Sequence, residues 1–160
     1  MTIPVRPETD RKIDELLSVY PMKGSALLPA LYLVQEEKGH LSEESMEYVA
    51  SKIGLSAAFV AGVVSFYTMF HRKPVGRHHI QVCRTLPCAL RGSDDLMAHL
   101  KGRLGIVDGE TRSDGAYSLV SVECLGACDR APFIQINDEE HGPVDPAKMD
   151  DILKGLERRP

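Results

Sequence analysis

The four cysteines of the chain constrain it more than any other feature, because all of them lie in its second half in two closely spaced pairs. Four residues separate Cys83 from Cys88, three separate Cys124 from Cys128, and thirty-five lie between the pairs. Each pair directly follows a segment with the composition of a β-strand. If those strands are neighbours in one sheet, both loops leave it at the same edge and the four thiols converge there.

Four converging thiolates are soft ligands that suit zinc or an iron–sulfur cluster. Zinc sites commonly have two residues between paired cysteines, so gaps of four and three favour a 2Fe–2S cluster and leave zinc as the second possibility. Disulfides or free thiols are a third. A thioredoxin-type redox enzyme is the weakest interpretation, since the chain contains no Cys-x-x-Cys.

A cluster carries negative charge and needs hydrogen-bond donors around it. Small residues near the cysteines allow close approach of backbone N–H groups, and arginines beside them could offset the charge. The residues in question are Ala89, Gly92, Gly126 and Ala127, with Arg84, Arg91 and Arg130. Exposure to solvent explains the three arginines equally well.

Composition excludes several other classes of protein. The chain has 160 residues, of which 43% are hydrophobic and 26% charged, as expected for one globular domain or two small ones. Its net charge of −4 offers no basic field for nucleic acid. The uncharged segment 55–70 has sixteen residues, too few for a membrane span, and the N-terminus has no apolar signal stretch. We therefore expect a soluble, cytoplasmic protein.

The pattern of apolar residues divides the chain into a helical domain, 1–73, and a second domain, 74–160. In the first, apolar residues recur at spacings of three and four. Ser42 and Ser56 are placed to cap two of its helices, and Gly39 and Gly54 to end two. A helix-turn-helix around Gly54 is excluded as a DNA reader, because no Lys or Arg lies between 55 and 70.

The second domain alternates strands and helices, which predicts an α/β layer on a small sheet. Predicted strands cover 78–82, 117–122, 133–136 and a short segment around Val144, predicted helices 93–105 and 146–156, and a long turn region 108–115. The apolar run 63–70 is interpreted as core rather than partner surface. His78 and His79 are interpreted as surface residues, and none of the six histidines shows metal-ligand spacing.

Taken together, these motifs resemble the thioredoxin-like 2Fe–2S ferredoxin family. The resemblance is greatest to its members in the peripheral arm of bacterial NADH:quinone oxidoreductase, which is respiratory complex I. The two cysteine loops carry most of the resemblance, and matching segments cover nearly the whole chain. The segments are 63–67, 74–76, 83–88, 109–111, 114–115, 122–128, 131–132 and 136–137.

The resemblance implies an α+β protein in which an N-terminal helical bundle precedes a thioredoxin-like α/β ferredoxin domain. It implies one 2Fe–2S cluster held by Cys83, Cys88, Cys124 and Cys128, with no catalytic residue on this chain. The implied partner is a flavoprotein subunit that holds FMN, the NADH site and a 4Fe–4S cluster, beside other peripheral-arm subunits at the cytoplasmic side of the membrane. The chain lacks a Gly-x-Gly-x-x-Gly fingerprint, in agreement with NADH binding elsewhere.

Two alternatives accompany this expectation. NAD-linked hydrogenases and NAD-dependent formate dehydrogenases contain an equivalent subunit, and the segment 141–145 departs from the sequence that respiratory members often have. An interaction domain stabilised by zinc, with no redox role, is the alternative of a different class. Visible colour separates the two classes, because a zinc thiolate site does not absorb visible light.

Overall fold

The computed structural model describes residues 5–158 and consists of two compact units, with the boundary between Pro74 and Val75. All regular secondary structure described in the first unit is helical. Its four α-helices are α1 (Pro7–Val19), α2 (Leu27–Lys38), α3 (Glu43–Ile53) and α4 (Ala57–Phe66), with a short 3₁₀ turn at Lys23–Ala26. The spacing of apolar residues predicts all four helices.

The helix ends of the first unit follow the predicted caps. The hydroxyl of Ser42 accepts a hydrogen bond from the Ser45 N–H at 3.2 Å, and Ser56 caps α4 through the Phe59 N–H at 3.2 Å. Gly39 and Gly54 end α2 and α3 with positive φ angles of 77° and 82°, where a side chain would be strained.

The apolar run 63–70 does not lie wholly in the core, so that interpretation is wrong in part. Val64 and Phe70 are buried, but Phe66 is 77% exposed and Tyr67 37% exposed. On α4 the buried positions are Val60 and Val64, which are four residues apart and therefore on one face of the helix. Phe66 falls on a different side of the helix, away from that buried face.

The second unit contains a five-stranded sheet and three helices. The elements are β1 (His78–Cys83), α5 (Leu86–Leu90), α6 (Ser93–Leu104), β2 (Glu110–Thr111), β3 (Tyr117–Val122), β4 (Ile134–Ile136), β5 (Glu139–His141) and α7 (Pro146–Glu157). The strand order is β2-β3-β1-β4-β5. β1 and β3 are parallel neighbours, and the other pairs are antiparallel. Apolar side chains of β1, β3 and β4 pack with those of α6 and α7 in one core.

Three details of the second unit differ from the sequence-based predictions. The last strand is β5, not a segment around Val144, whose side chain is buried and whose N–H bonds the Pro132 carbonyl at 3.0 Å. β2 lies inside the predicted turn region 108–115, and its two residues are exposed, so no apolar alternation marks it. α5 was not predicted, because five residues are too few for a helical pattern.

Within residues 5–158, no single helix is both long and apolar enough to cross a membrane. α3 and α4 reach the required length and composition only as a pair, and that pair is bent by 118°.

Candidate metal centre

The two cysteine loops start from neighbouring positions of the sheet. Cys83 is the last residue of β1 and lies opposite Val122, the last residue of β3, in the parallel register. Cys124 follows two residues later. Because parallel strands end at the same edge of a sheet, the sheet brings both loops to one edge, which confirms the convergence expected from the sequence.

The first cysteine pair is enclosed. Cys83 is 3% exposed and Cys88 2% exposed, and both pack with Ala131 and Phe133 in a small apolar cluster. α5 carries Cys88 back towards the end of β1. The first loop is therefore held by packing.

Hydrogen bonds surround the Cys83 sulfur. The Thr85 hydroxyl oxygen lies 3.2 Å from Cys83 Sγ, and the Cys83 thiol donates to the Glu123 carbonyl oxygen at 3.2 Å. Burial raises the pKa of Cys83, but the Thr85 hydroxyl and the N–H groups of Thr85 and Leu125 outweigh it, so the pKa is lower than that of an ordinary thiol. These donors favour a thiolate at Cys83.

The Cys88 thiol behaves in the opposite way. Burial and the neighbouring Cys83 raise the pKa of Cys88 to about 11, although the Phe133 N–H lowers it. The pKa values of these two neighbouring thiols therefore shift in opposite directions. A bound cation removes this difference, since it favours the thiolate form of both.

The second cysteine pair is open to solvent. Cys124 and Cys128 are both exposed. Gly126, between them, has a φ of 78°, and its N–H donates to Cys124 Sγ at 3.4 Å. Glycine is needed there because the left-handed conformation turns a backbone donor towards the sulfur.

The donor set fits a 2Fe–2S cluster. All four cysteines are free, they come from two loops at one sheet edge, and backbone N–H groups act on the sulfurs of Cys83, Cys88 and Cys124. Within residues 5–158, no group of three or more His, Cys, Asp or Glu side chains is close enough to hold a metal ion as placed, so the fit rests on the chemistry of the donors. Thiolates with amide donors are the usual surroundings of iron–sulfur clusters.

Two of the three arginines near the cysteines are paired with carboxylates. Arg84 Nε lies 2.9 Å from Glu123 Oε1, which connects the two cysteine loops at the surface. Arg130 binds Glu140 at 2.9 Å and lies over the Phe133 ring at 4.9 Å. Arg91 is exposed after α5. Arg84 and Arg130 therefore bring no uncompensated positive charge to the site.

Sequence reasoning missed two contributors to this site. Gly142 lies under the second loop, where a Cβ atom would come within 2.5 Å of both the Arg130 carbonyl oxygen and the Phe133 ring. Thr85 is the other. Its only sequence signal is a hydroxyl residue two positions after a cysteine, at the start of a short helix.

His79 is not a surface residue, contrary to the expectation from sequence. It is 8% exposed, and its Nδ1 lies 2.7 Å from the Ser118 hydroxyl on the neighbouring strand. It belongs to the sheet rather than to the cysteine site.

Comparison with known proteins gives a consistent result over most of the chain. The family model described as thioredoxin-like 2Fe-2S ferredoxin matches residues 13–157. An NADH-quinone oxidoreductase E subunit of Rhizobium meliloti, the one numbered 2, is 44% identical over 145 residues, which cover 91% of this chain and 86% of the relative. The E subunit of the same enzyme from Rickettsia bellii is 46% identical over 89% of this chain and 87% of its own length.

Other relatives have a similar extent. NADH-quinone oxidoreductase subunit 2 of Thermus thermophilus is 41% identical over 90% of this chain and 81% of its own length. Among solved structures, the air-oxidized NAD+-reducing NiFe-hydrogenase superposes with a TM-score of 0.72 over 84% of this chain and 23% of the hydrogenase chain. At 24% identity, that likeness concerns the fold alone.

Proposed function

Because the chain belongs to the thioredoxin-like 2Fe-2S ferredoxin family, we propose that it is the electron-transfer subunit of an NADH:quinone oxidoreductase that carries one 2Fe–2S cluster. The relatives that support this assignment are 41–46% identical and are matched over most of their own length. The protein acts as one part of an oxidoreductase complex, and we propose that the substrate site lies on another subunit.

Cys83, Cys88, Cys124 and Cys128 are the proposed ligands of the cluster. The observation that carries this proposal is the placement of two free cysteine pairs in loops that leave the ends of two neighbouring parallel strands. The amide donors aimed at these sulfurs compensate the negative charge that four thiolates and bound sulfide bring together.

The bound cluster supplies one-electron chemistry. The chain's own contribution is to exclude water from one half of the site and to leave the other half accessible. Cys83 and Cys88 are held in an apolar cluster, whereas the exposed Cys124 and Cys128 present the site to a neighbouring subunit. Electron exchange with a neighbouring subunit would therefore take place at the second loop.

The proposed partner is a flavoprotein subunit that binds FMN and NADH and holds a 4Fe–4S cluster, together with other peripheral-arm subunits on the cytoplasmic side of the membrane. The absence of a Gly-x-Gly-x-x-Gly fingerprint supports NADH binding by another subunit. We also propose that 1–73 is a helical domain and 74–160 the ferredoxin domain, one residue from the boundary between the two compact units at Pro74 and Val75.

Spectroscopy of the full chain tests the cofactor. The protein is purified anaerobically, its iron and zinc are counted, and visible and EPR spectra are recorded before and after dithionite. We expect two irons per chain, visible colour and an EPR signal from one unpaired electron after reduction. One zinc per chain, no colour and no signal after iron–sulfide reconstitution would establish the zinc-stabilised interaction domain instead.

A second experiment identifies the complex. The tagged chain is purified from its own host under mild conditions, and the proteins that accompany it are identified by mass spectrometry. A flavoprotein together with quinone-reductase subunits is the expected result. Hydrogenase or formate dehydrogenase subunits in their place would assign the chain to the equivalent diaphorase unit of one of those enzymes.

A further inference from the structure

We propose that Thr85 is a positioning residue that donates a hydrogen bond from its hydroxyl to the Cys83 thiolate and thereby raises the reduction potential of the cluster. The inference rests on the proposed function, because it takes Cys83 as a ligand. It adds a side chain outside the ligand set whose chemistry sets how readily the cluster accepts an electron.

The position of Thr85 gives the first argument. Thr85 is the N-cap residue of α5, where a threonine hydroxyl ordinarily accepts a hydrogen bond from the helix backbone. Here the side chain makes no cap hydrogen bond, and its hydroxyl oxygen lies 3.2 Å from Cys83 Sγ. The Thr85 hydroxyl therefore contacts the Cys83 sulfur instead of capping α5.

The direction of the bond follows from the charge of a ligand. Between a thiol and a hydroxyl either group can donate, but a thiolate bound to iron has no proton and can only accept. The Thr85 hydroxyl is then the donor. Because Cys83 is 3% exposed, water does not compete for that sulfur.

The effect on potential follows from the charge of the two redox states. Reduction adds one electron, so the sulfurs of the reduced cluster carry more negative charge and accept hydrogen bonds more strongly. A donor therefore stabilises the reduced state more than the oxidised state. Losing the donor makes reduction harder.

Thr85 differs from the other donors at this site in being open to substitution. Backbone N–H groups of Thr85 itself, Leu125, Gly126 and Phe133 also act on the proposed ligand sulfurs. A side-chain change leaves those groups in place. The hydroxyl can be removed almost without change of shape by Thr85→Val and kept by Thr85→Ser.

The test compares the full chain and these two variants, each with its cluster assembled, by EPR-monitored redox titration. For Thr85→Val we expect an approximately tenfold fall in the equilibrium constant for one-electron reduction, a midpoint about 59 mV more negative. Thr85→Ser is expected to titrate like the original chain. Resonance Raman bands of the Fe–S(Cys) stretches should shift in D₂O in the original chain and in Thr85→Ser, but less in Thr85→Val.

If Thr85→Val has the same midpoint potential and the same D₂O shifts as the original chain, the proposal is overturned. The cluster and the proposed function would remain intact. If Thr85→Val fails to assemble a cluster, the test relies on Thr85→Ser. A midpoint potential and a D₂O shift equal to those of the original chain support the hydrogen bond from the hydroxyl, and a displaced midpoint potential refutes it. Failure of the proposed function itself has a different signature, since the original chain would then contain no iron.

Discussion

The two cysteine loops begin at neighbouring positions of one sheet, yet the core encloses the cysteines of the first and leaves those of the second exposed to solvent. Cys83 and Cys88 are 3% and 2% exposed and pack against Phe133. Cys124 and Cys128 are exposed, with the backbone of Gly126 turned towards the sulfur of Cys124. The first half of the site is thus built by packing and the second by backbone conformation.

The unequal exposure of the two cysteine pairs lets one site both hold its cofactor rigidly and present it to another protein. Enclosed ligands keep the geometry fixed and keep water away from the sulfurs, which strengthens every hydrogen bond to them. Exposed ligands bring the cofactor within reach of another protein. A site enclosed on all sides would be stable but isolated, and one open on all sides would lose its cofactor to solvent.

Replacing one cysteine in each loop by serine should produce the largest contrast. In Cys88→Ser the buried hydroxyl has no water to take its proton, so we expect complete loss of the cluster signal. In Cys124→Ser the exposed oxygen can lose its proton to solvent and serve as a poorer ligand, so a weaker and altered signal should remain. Iron content and the EPR spectrum of the reduced protein measure both.

An unchanged spectrum in either variant would mean that the replaced cysteine is not a ligand. Equal and complete loss in both would show that the exposed loop is as intolerant of change as the enclosed one. That result would remove the distinction between the two halves.

Truncation of one apolar side chain beside each loop should give the next largest effect. Phe133 is 1% exposed and contacts the first cysteine pair, so Phe133→Ala should lower the free energy of unfolding by about 3–5 kcal/mol. Leu125, within the second loop, is only partly buried, and Leu125→Ala should cost about 1 kcal/mol or less. Urea unfolding of the cluster-free protein, followed by circular dichroism, measures both.

Comparable losses for the two substitutions would contradict the view that packing holds the first loop more firmly than the second. Gly142→Ala tests the same packing by adding an atom instead of removing several, because its Cβ would lie where Phe133 and Arg130 leave no room. We expect it to cost about 1–3 kcal/mol through overpacking.

The ability of the sequence to predict the molecule varied with how local each interaction is. Ser42 and Ser56 cap their helices as predicted, because a cap depends on residues three positions apart. β2 could not be predicted, since its two exposed residues gain their strand conformation only by pairing with β3. The exposure of Phe66 was missed because an apolar residue carries no sign of whether a partner will cover it.

The same reasoning applies to the candidate site. The spacing of the cysteines and the strands before them predicted the convergence of the two loops, since parallel neighbours end at one edge. The unequal burial of the two pairs could not be predicted. It depends on Phe133 and Ala131, which lie far from Cys83 and Cys88 in sequence and reach them only through the fold.

The rate of cysteine alkylation in the cluster-free protein should also differ between the two loops. At pH 8, iodoacetamide should modify Cys124 and Cys128 at least about tenfold faster than Cys88, because alkylation needs an accessible thiolate. Cys88 is buried, and its raised pKa of about 11 leaves roughly one molecule in a thousand as thiolate at that pH. Mass spectrometry of the labelled peptides gives each rate, and equal rates would show that the first loop opens readily without its cofactor.

The ion pair between Arg84 and Glu123 should contribute least, although it connects the two loops. Their side chains are 58% and 68% exposed, so water and salt screen the attraction between them. Glu123→Gln, Arg84→Met and the double variant should form a thermodynamic cycle with a coupling energy of about 0.2–1 kcal/mol, smaller at high salt. A coupling energy well above that range, unchanged by salt, would mean that this surface contact, and not the packing around Phe133, holds the two halves of the site together.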